Sequence, residues 1–367
     1  MTAKTRAIVW QAIAVVLSTA LILWFAHNIA TNLAARGMVI SFGFLATPAG
    51  FDIPFHLVDW ALTNTYGRAL YVAGINTLFA ASLIIGLATA LGLTLALMRL
   101  SGNLLAAGTA RGLIELIRNT PQLLQIVFFY FAVLQALPPM RQSRTIGATI
   151  FLNVRGLYIP APSGPLWDGL AAVALIATLL LALFWRRFHI PIPRAVVLPP
   201  LLLLAITAAG FTAEWDPPVL RGFNFVGGLH LPPEIIALAL GIAIYTSAFI
   251  AEVIRAAIQG VDIGQNQAAR SLGLSASQSM FLIVLPQALR ILIPPLTSQY
   301  LNIIKSTTLG AAIAYPEILQ IFARTVLNQS GRAIEVMTLV LGVFLAVNLI
   351  VSAGMNKWNH SLQLQGR

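Results

Sequence analysis

The chain has 367 residues, of which 58% are hydrophobic and only 9% charged. Soluble domains are about 25% charged, so a soluble enzyme, a disordered chain and a coiled coil are excluded, and an all-α polytopic integral membrane protein remains. The net charge is +11, and the absence of cysteine excludes disulfide scaffolds, thiolate metal sites and cysteine nucleophiles.

A helix rises about 1.5 Å per residue, so about 20 apolar residues cross the hydrocarbon core. Uncharged runs of that length predict about eight transmembrane helices. They lie between Arg6 and His27, then over 70–98, 113–137, 168–185, 195–213, 234–258, 291–313 and 335–355. The first run is longer than a signal-peptide core, so it reads as a retained helix. An even count puts both termini on one side. With the termini inside, cytoplasmic segments hold 12 basic residues and outer segments 8. That bias follows the positive-inside rule. Asp52, Asp59, Glu214, Asp216 and Glu317 then fall outside, while Asp262 is the only acid of an inner loop. The positive charge therefore reads as topology, with no call for nucleic acid. The proline-rich stretches 138–165 and 214–233 read as outer loops.

The inner segment 260–286 reads as helix, turn, helix. Asp262 is placed to cap a short helix running to Leu272, and Gly273 to close it in the left-handed conformation. Ser275 with Gln278 fits a capping box for a second helix, and Pro286 is expected where that helix meets the membrane. Ala268 and Ala269 present a small surface one turn from Leu272. The ordinary alternative is an amphipathic connector on the lipid surface.

Four motifs carry a resemblance. Gln267-Ala268-Ala269, Gly273, Ile283 and Leu285-Pro286 match in spacing the E-A-A, G, I, L-P loop of permease subunits of ATP-binding-cassette (ABC) importers, with glutamine for the glutamate. The segments Ala248–Ile258 with Gly264-Gln265, Leu285–Arg290 with Lys305–Leu309, and Arg118–Gln125 resemble blocks of polar amino acid permeases. The chain looks most like the larger permease type of general L-amino acid importers. The resemblance implies a five-helix type I core built from 70–137 and 231–356. Residues 1–69 then add an N-terminal helix and outer loop, 138–230 insert two helices, and 357–367 form a cytoplasmic tail. It also implies a bacterial inner-membrane location and three kinds of partner besides lipid: a second permease subunit in a heterodimer, an ATPase dimer and a periplasmic amino acid-binding protein. Gln265, Gln267, Ala268, Ala269, Arg270, Leu272, Gly273 and Pro286 would couple to the ATPase.

Charged and polar residues within spans are costly, and so are candidates for function. Glu252 with Arg255 and Glu115 with Arg118 are spaced for local helix-end ion pairs. Gln299, Asn302 and Ser306 form a polar stripe on the seventh span, with Lys305 beside it. With Thr120 they are candidates for a translocation path, in which Lys305 would meet a substrate carboxylate. Helix–helix contact is the plainer alternative. No phosphate-binding loop is present and the five histidines show no metal-ligand spacing. The chain therefore reads as a transport subunit, not an enzyme, with no metal or cofactor of its own; ATP and Mg would serve a partner ATPase. A self-contained secondary transporter or channel is the alternative, against which no internal repeat is found. A membrane enzyme would need a catalytic cluster that is absent.

Overall fold

The computed structural model describes residues 3–35, 40–163 and 214–363. Among them, five helices are long and apolar enough to cross a membrane. They agree with expected spans one, two, six, seven and eight. The expected spans at 168–185 and 195–213 lie outside the described residues.

Helix α1 (Ala3–Ala35) has no buried position in its apolar window. Helix α2 (Tyr66–Leu100) opens with Thr65 accepting from the Arg68 amide. The expected third span is not one helix. Helix α3 (Leu104–Arg118) ends, Asn119–Pro121 break the run, and α4 (Gln122–Val127) restarts and continues as a π-helix to Leu134. Pro121 has no amide hydrogen and biases Thr120 away from helical geometry. The break leaves carbonyls without helical partners. Ile117 O keeps a turn bond from the Thr120 amide at 3.2 Å, and the buried Gln125 side-chain amide turns back across the break, donating to Ile117 O at 3.2 Å and to Thr120 O at 3.4 Å.

Helix α5 (Pro233–Gln259) is the centre of the molecule, with 67% of its most apolar window buried. Its partners offer small residues: Ala80, Ala88 and Ala96 of α2 face Ile242, Ile250 and Ile254 of α5 in one core cluster. A Cβ on Gly92 would lie 2.7 Å from Ile250 Cγ2, so α2 and α5 meet through a glycine. Without a hydrophobic drive between helices in lipid, close van der Waals packing of this kind supplies much of their association.

After α5 comes the short helix α6 (Ile263–Ser271), then α7 (Ala276–Ser279), a π-turn over Met280–Val284 and α8 (Leu285–Ser306). The last three form one continuous helical run to Ile313. Pro286 was expected to mark a junction; instead it is the second residue of α8 inside that run. Proline there removes one amide donor, and the wider π-turn just before it takes up the distortion. The chain then passes through a 3-10 stretch (Thr307–Ile313), a π-helix (Leu319–Val326) and α9 (Leu327–Ser330) to α10 (Ala333–Gln363).

A second core cluster holds the end of the molecule near the start of α2 together, with Phe44, Ile53 and Val72 packed against Phe322, Val336 and Val340. Buried polar groups pin it. Asn76 of α2 donates to Phe55 O at 2.8 Å and to Pro316 O at 3.0 Å, and Tyr315 Oη donates to Asn76 O at 2.9 Å.

The proline-rich segments are not simple loops. Four antiparallel strands form a sheet in the order β1–β2–β3–β8: β1 Arg144–Ile146, β2 Ile150–Asn153, β3 Gly156–Ile159 and β8 Leu229–Leu231. Strands β4 (Ala161–Ser163) and β5 (Glu214–Asp216) pair, as do β6 (Val219–Arg221) and β7 (Asn224–Val226). This small element holds all the strand pairing among the described residues apart from a single bridge between Pro48 and Thr65. Alternation over three or four residues is too short to have been read as strands.

Candidate functional site

Prolines 294 and 295 lie inside α8. Beyond them, Gln299, Asn302, Lys305 and Ser306 recur at helical spacing and share a face. That face lines a cavity of about 320 Å³. Gln122 of α4 and Tyr245, Thr246 and Phe249 of α5 complete it. The stripe read from the sequence therefore borders a cavity between three helices. Ser306 Oγ donates to Gln122 Oε1 at 3.3 Å, which ties α8 to the start of α4. The Tyr245 and Phe249 rings stand 5.0 Å apart, and the Arg118 guanidinium lies 5.2 Å over the Phe249 ring. The lining thus offers one ammonium, three side-chain amides, hydroxyls and aromatic faces, and no carboxylate. Such a site can hold a small zwitterion: the ammonium and amides suit a carboxylate, and ring faces with amide oxygens suit an amino group.

Thr120 is not part of this cavity. Its hydroxyl donates to Leu116 O at 2.9 Å, and it borders a separate apolar hollow with Leu124, Gln125, Phe128 and Phe129. The break before Pro121 turns it away. Gln122, Tyr245, Thr246 and Phe249 were missed. Gln122 lies within a quoted motif, and its position after Pro121 was the available signal. The α5 residues had none, because tyrosine, threonine and phenylalanine are ordinary in a membrane helix.

At the inner end, Glu252 stands between two guanidiniums. Arg99 Nε of α2 lies 3.0 Å from Oε1 and Arg255 Nη2 lies 2.9 Å from Oε2. Arg255 also donates to Gln259. The expected Glu252–Arg255 pair is present, and Arg99 makes it a link between α2 and α5. The expected Glu115–Arg118 pair does not form. Arg118 ends α3 and turns to Phe249, while Glu115 makes no ion pair among the described residues.

The inner turn follows from its caps. Asp262 Oδ1 accepts from the Gly264 amide at 2.6 Å, starting α6. Gly273 takes φ +76°, a conformation costly for any residue with a Cβ. Its amide donates to Arg270 O at 2.9 Å and that of Leu274 to Ala269 O at 3.1 Å, the paired bonds of a Schellman motif. Ser275 and Gln278 close a reciprocal capping box. Two side-chain bonds brace the turn: Ser279 Oγ to Asn266 Oδ1 at 2.7 Å, and Gln287 Nε2 to Gln265 Oε1 at 3.3 Å. Ala269 is buried against the second helix, so Ala268 and Ala269 do not form one exposed surface. Gln267, Ala268, Arg270 and Leu272 face outward, with Leu272 79% exposed, and Pro286 is exposed as well.

Residues 88–361 match the model of the family described as "binding-protein-dependent transport system inner membrane component". The chain belongs to that family. Similarity extends beyond the matched segment. The chain is 45% identical to a putative amino-acid ABC transporter permease protein, YhdX, of Escherichia coli K12, over 99% of this chain and 95% of that protein. It is 39% identical to the general L-amino acid transport system permease protein AapQ of Rhizobium johnstonii, over 99% and 94%. It is 33% identical to BztB of Rhodobacter capsulatus, a glutamate/glutamine/aspartate/asparagine transport system permease protein, over 99% and 95%. Among solved structures, an amino acid ABC transporter chain crystallised with histidines shares the fold, with a TM-score of 0.50 and 20% identity over 80% of this chain and 94% of that one.

Proposed function

We propose that this chain is the permease subunit of an ATP-driven amino acid importer of the bacterial inner membrane, with both termini cytoplasmic. The observation that carries this reading is the polar cavity between α4, α5 and α8 in a chain similar along its full length to amino acid permeases. The substrate is a free amino acid whose carboxylate meets Lys305 and whose remaining groups meet Gln122, Gln299, Asn302 and Ser306. A second permease subunit completes the path. An extracytoplasmic binding protein delivers the substrate.

Energy comes from an ATPase dimer that binds ATP and Mg. It contacts the outward-facing Gln267, Ala268, Arg270 and Leu272 of the inner turn, with Gln265, Ala269, Gly273 and Pro286 setting the turn's shape. Closure of the ATPase pair would move α6–α7, and through the continuous run into α8 would reach the cavity wall. Alternating access follows if that wall shifts between inner and outer openings.

The experiment is transport by the assembled complex in proteoliposomes. Lys305→Met should reduce uptake and substrate-stimulated ATP hydrolysis at least tenfold, by removing the one ammonium of the cavity, while leaving assembly intact. Unchanged uptake would remove Lys305 from the path.

A further inference from the structure

The outer β-element is used neither by the cavity nor by the inner turn. Strands β6 and β7 form a hairpin paired from Val219 with Val226 to Arg221 with Asn224, leaving Gly222-Phe223 at the tip. Gly222 has φ +65°, as the first position of a tight hairpin turn requires. Phe225 fixes the hairpin to the sheet, with its ring 4.6 Å from Phe151 and 4.7 Å from Tyr158. The tip therefore projects a defined set of groups. Phe223 is 72% exposed, and the Arg141 guanidinium lies 4.4 Å over its ring. Arg155 Nη1 donates to Asn224 Oδ1 at 2.7 Å beside it. Trp215, Val219, Leu220 and Val226 are exposed around the hairpin.

The charges of this element have a pattern. Segments 138–163 and 214–232 contain four arginines, Arg141, Arg144, Arg155 and Arg221, and no lysine. Of their two acids, Asp216 already accepts from the Gly228 amide at 3.1 Å. Exposed aromatics among arginines without lysine are the composition of protein-interface hot spots. Two of the guanidiniums are held in place, one on a ring and one on an amide, and a fixed planar guanidinium suits carboxylates in two-point contact. The element also has a direct connection to the path. Strand β8 pairs with β3 and runs straight into α5, whose Glu234 accepts from Tyr130 Oη of the α4 run at 3.0 Å.

We propose that the hairpin tip, Phe223 with Arg141, Arg155 and Arg221, is the docking surface for an acidic face of the soluble extracytoplasmic binding protein. Docking there acts on the outer end of the helix that lines the cavity. This inference rests on the permease reading above.

Two measurements on the assembled complex test it. A photoreactive benzophenone side chain placed at position 223 should cross-link, in native membranes with amino acid present, to a soluble amino acid-binding protein identified by mass spectrometry. Adducts with phospholipid alone, with another permease subunit alone, or no adduct would overturn the proposal. In proteoliposomes, Phe223→Ser combined with Arg141→Ala should raise the binding-protein concentration for half-maximal uptake about tenfold, leaving basal ATP hydrolysis and maximal uptake unchanged. An unchanged half-maximal concentration would overturn it. Failure of the unaltered complex to show any binding-protein-dependent uptake would overturn the permease reading together with this one, and so is distinguishable from failure of the docking site alone.

Discussion

Glu317 shows how a single residue takes its properties from its surroundings. It is fully buried where the chain leaves the 3-10 stretch, and its two carboxylate oxygens accept from the Leu319 and Gln320 amides at 2.8 and 2.7 Å. Those bonds favour the charged form, but burial outweighs them and pushes its pKa up to about 7. The folded chain thus holds a proton that the unfolded chain releases near pH 4.5. The stability from that proton is full below the ordinary carboxylate range and is lost as pH rises through 7, on the order of 3 kcal/mol in all. Glu317→Gln cannot titrate, so its melting temperature should be flatter between pH 5 and 8 than that of the unaltered chain. It should also be lower at pH 5, by the loss of one backbone bond of about 1 kcal/mol. Thermal unfolding in detergent across pH measures both; parallel curves would contradict the assigned protonation. Nothing in the sequence marked Glu317 beyond its outer position, because its burial is created by the outer core cluster and by Tyr315 bonding across to Asn76.

At the scale of elements, the inner turn was the most legible part of the chain. Asp262, Gly273, Ser275 and Gln278 each act within four residues, so their sequence spacing already defines their hydrogen bonds. Gly273→Ile would force a β-branched side chain into φ +76°, a cost of about 1–2 kcal/mol borne by the turn alone. Nothing lies within 4 Å of the added Cβ, so the fault is conformational, not steric. The expected result is a complex that inserts and assembles but shows uptake reduced at least tenfold relative to its ATP hydrolysis, measured in proteoliposomes. Normal uptake would remove the turn from coupling. The third span was misread for the opposite reason. Apolar character continues through Pro121, and hydropathy does not register that Gln125 can bridge a broken helix by donating back to Ile117 O and Thr120 O.

For the whole molecule, the seam between α2 and α5 organises the rest. Gly92 sets its closeness, with a Cβ there meeting Ile250 at 2.7 Å and Ser247 O at 3.0 Å. The Arg99–Glu252 pair closes the same seam at its inner end. Gly92→Leu should separate the helices and destabilise the fold by roughly 1–3 kcal/mol or more, as overpacking does. A lower melting temperature and earlier aggregation on size-exclusion chromatography are the expected outcomes. An unchanged melting temperature would show that the seam does not need close contact at Gly92.

Hydropathy, charge bias and short-range caps are properties of neighbouring residues. The sequence by itself therefore determined the membrane class, five of the spans, the inner turn and the polar stripe on α8. The family resemblance visible in its motifs was confirmed by the full-length matches. The tertiary structure alone decided what that stripe faces. Gln122, Tyr245, Thr246 and Phe249 join it from helices far away in the chain, Thr120 is excluded by the break at Pro121, and Arg118 leaves Glu115 for an aromatic ring. It also decided that short segments distant in the chain pair into one sheet. The reason is common to all of these: a cavity, a sheet and a buried carboxyl are made by groups distant in sequence, and their meeting is set by packing between elements rather than by any local pattern.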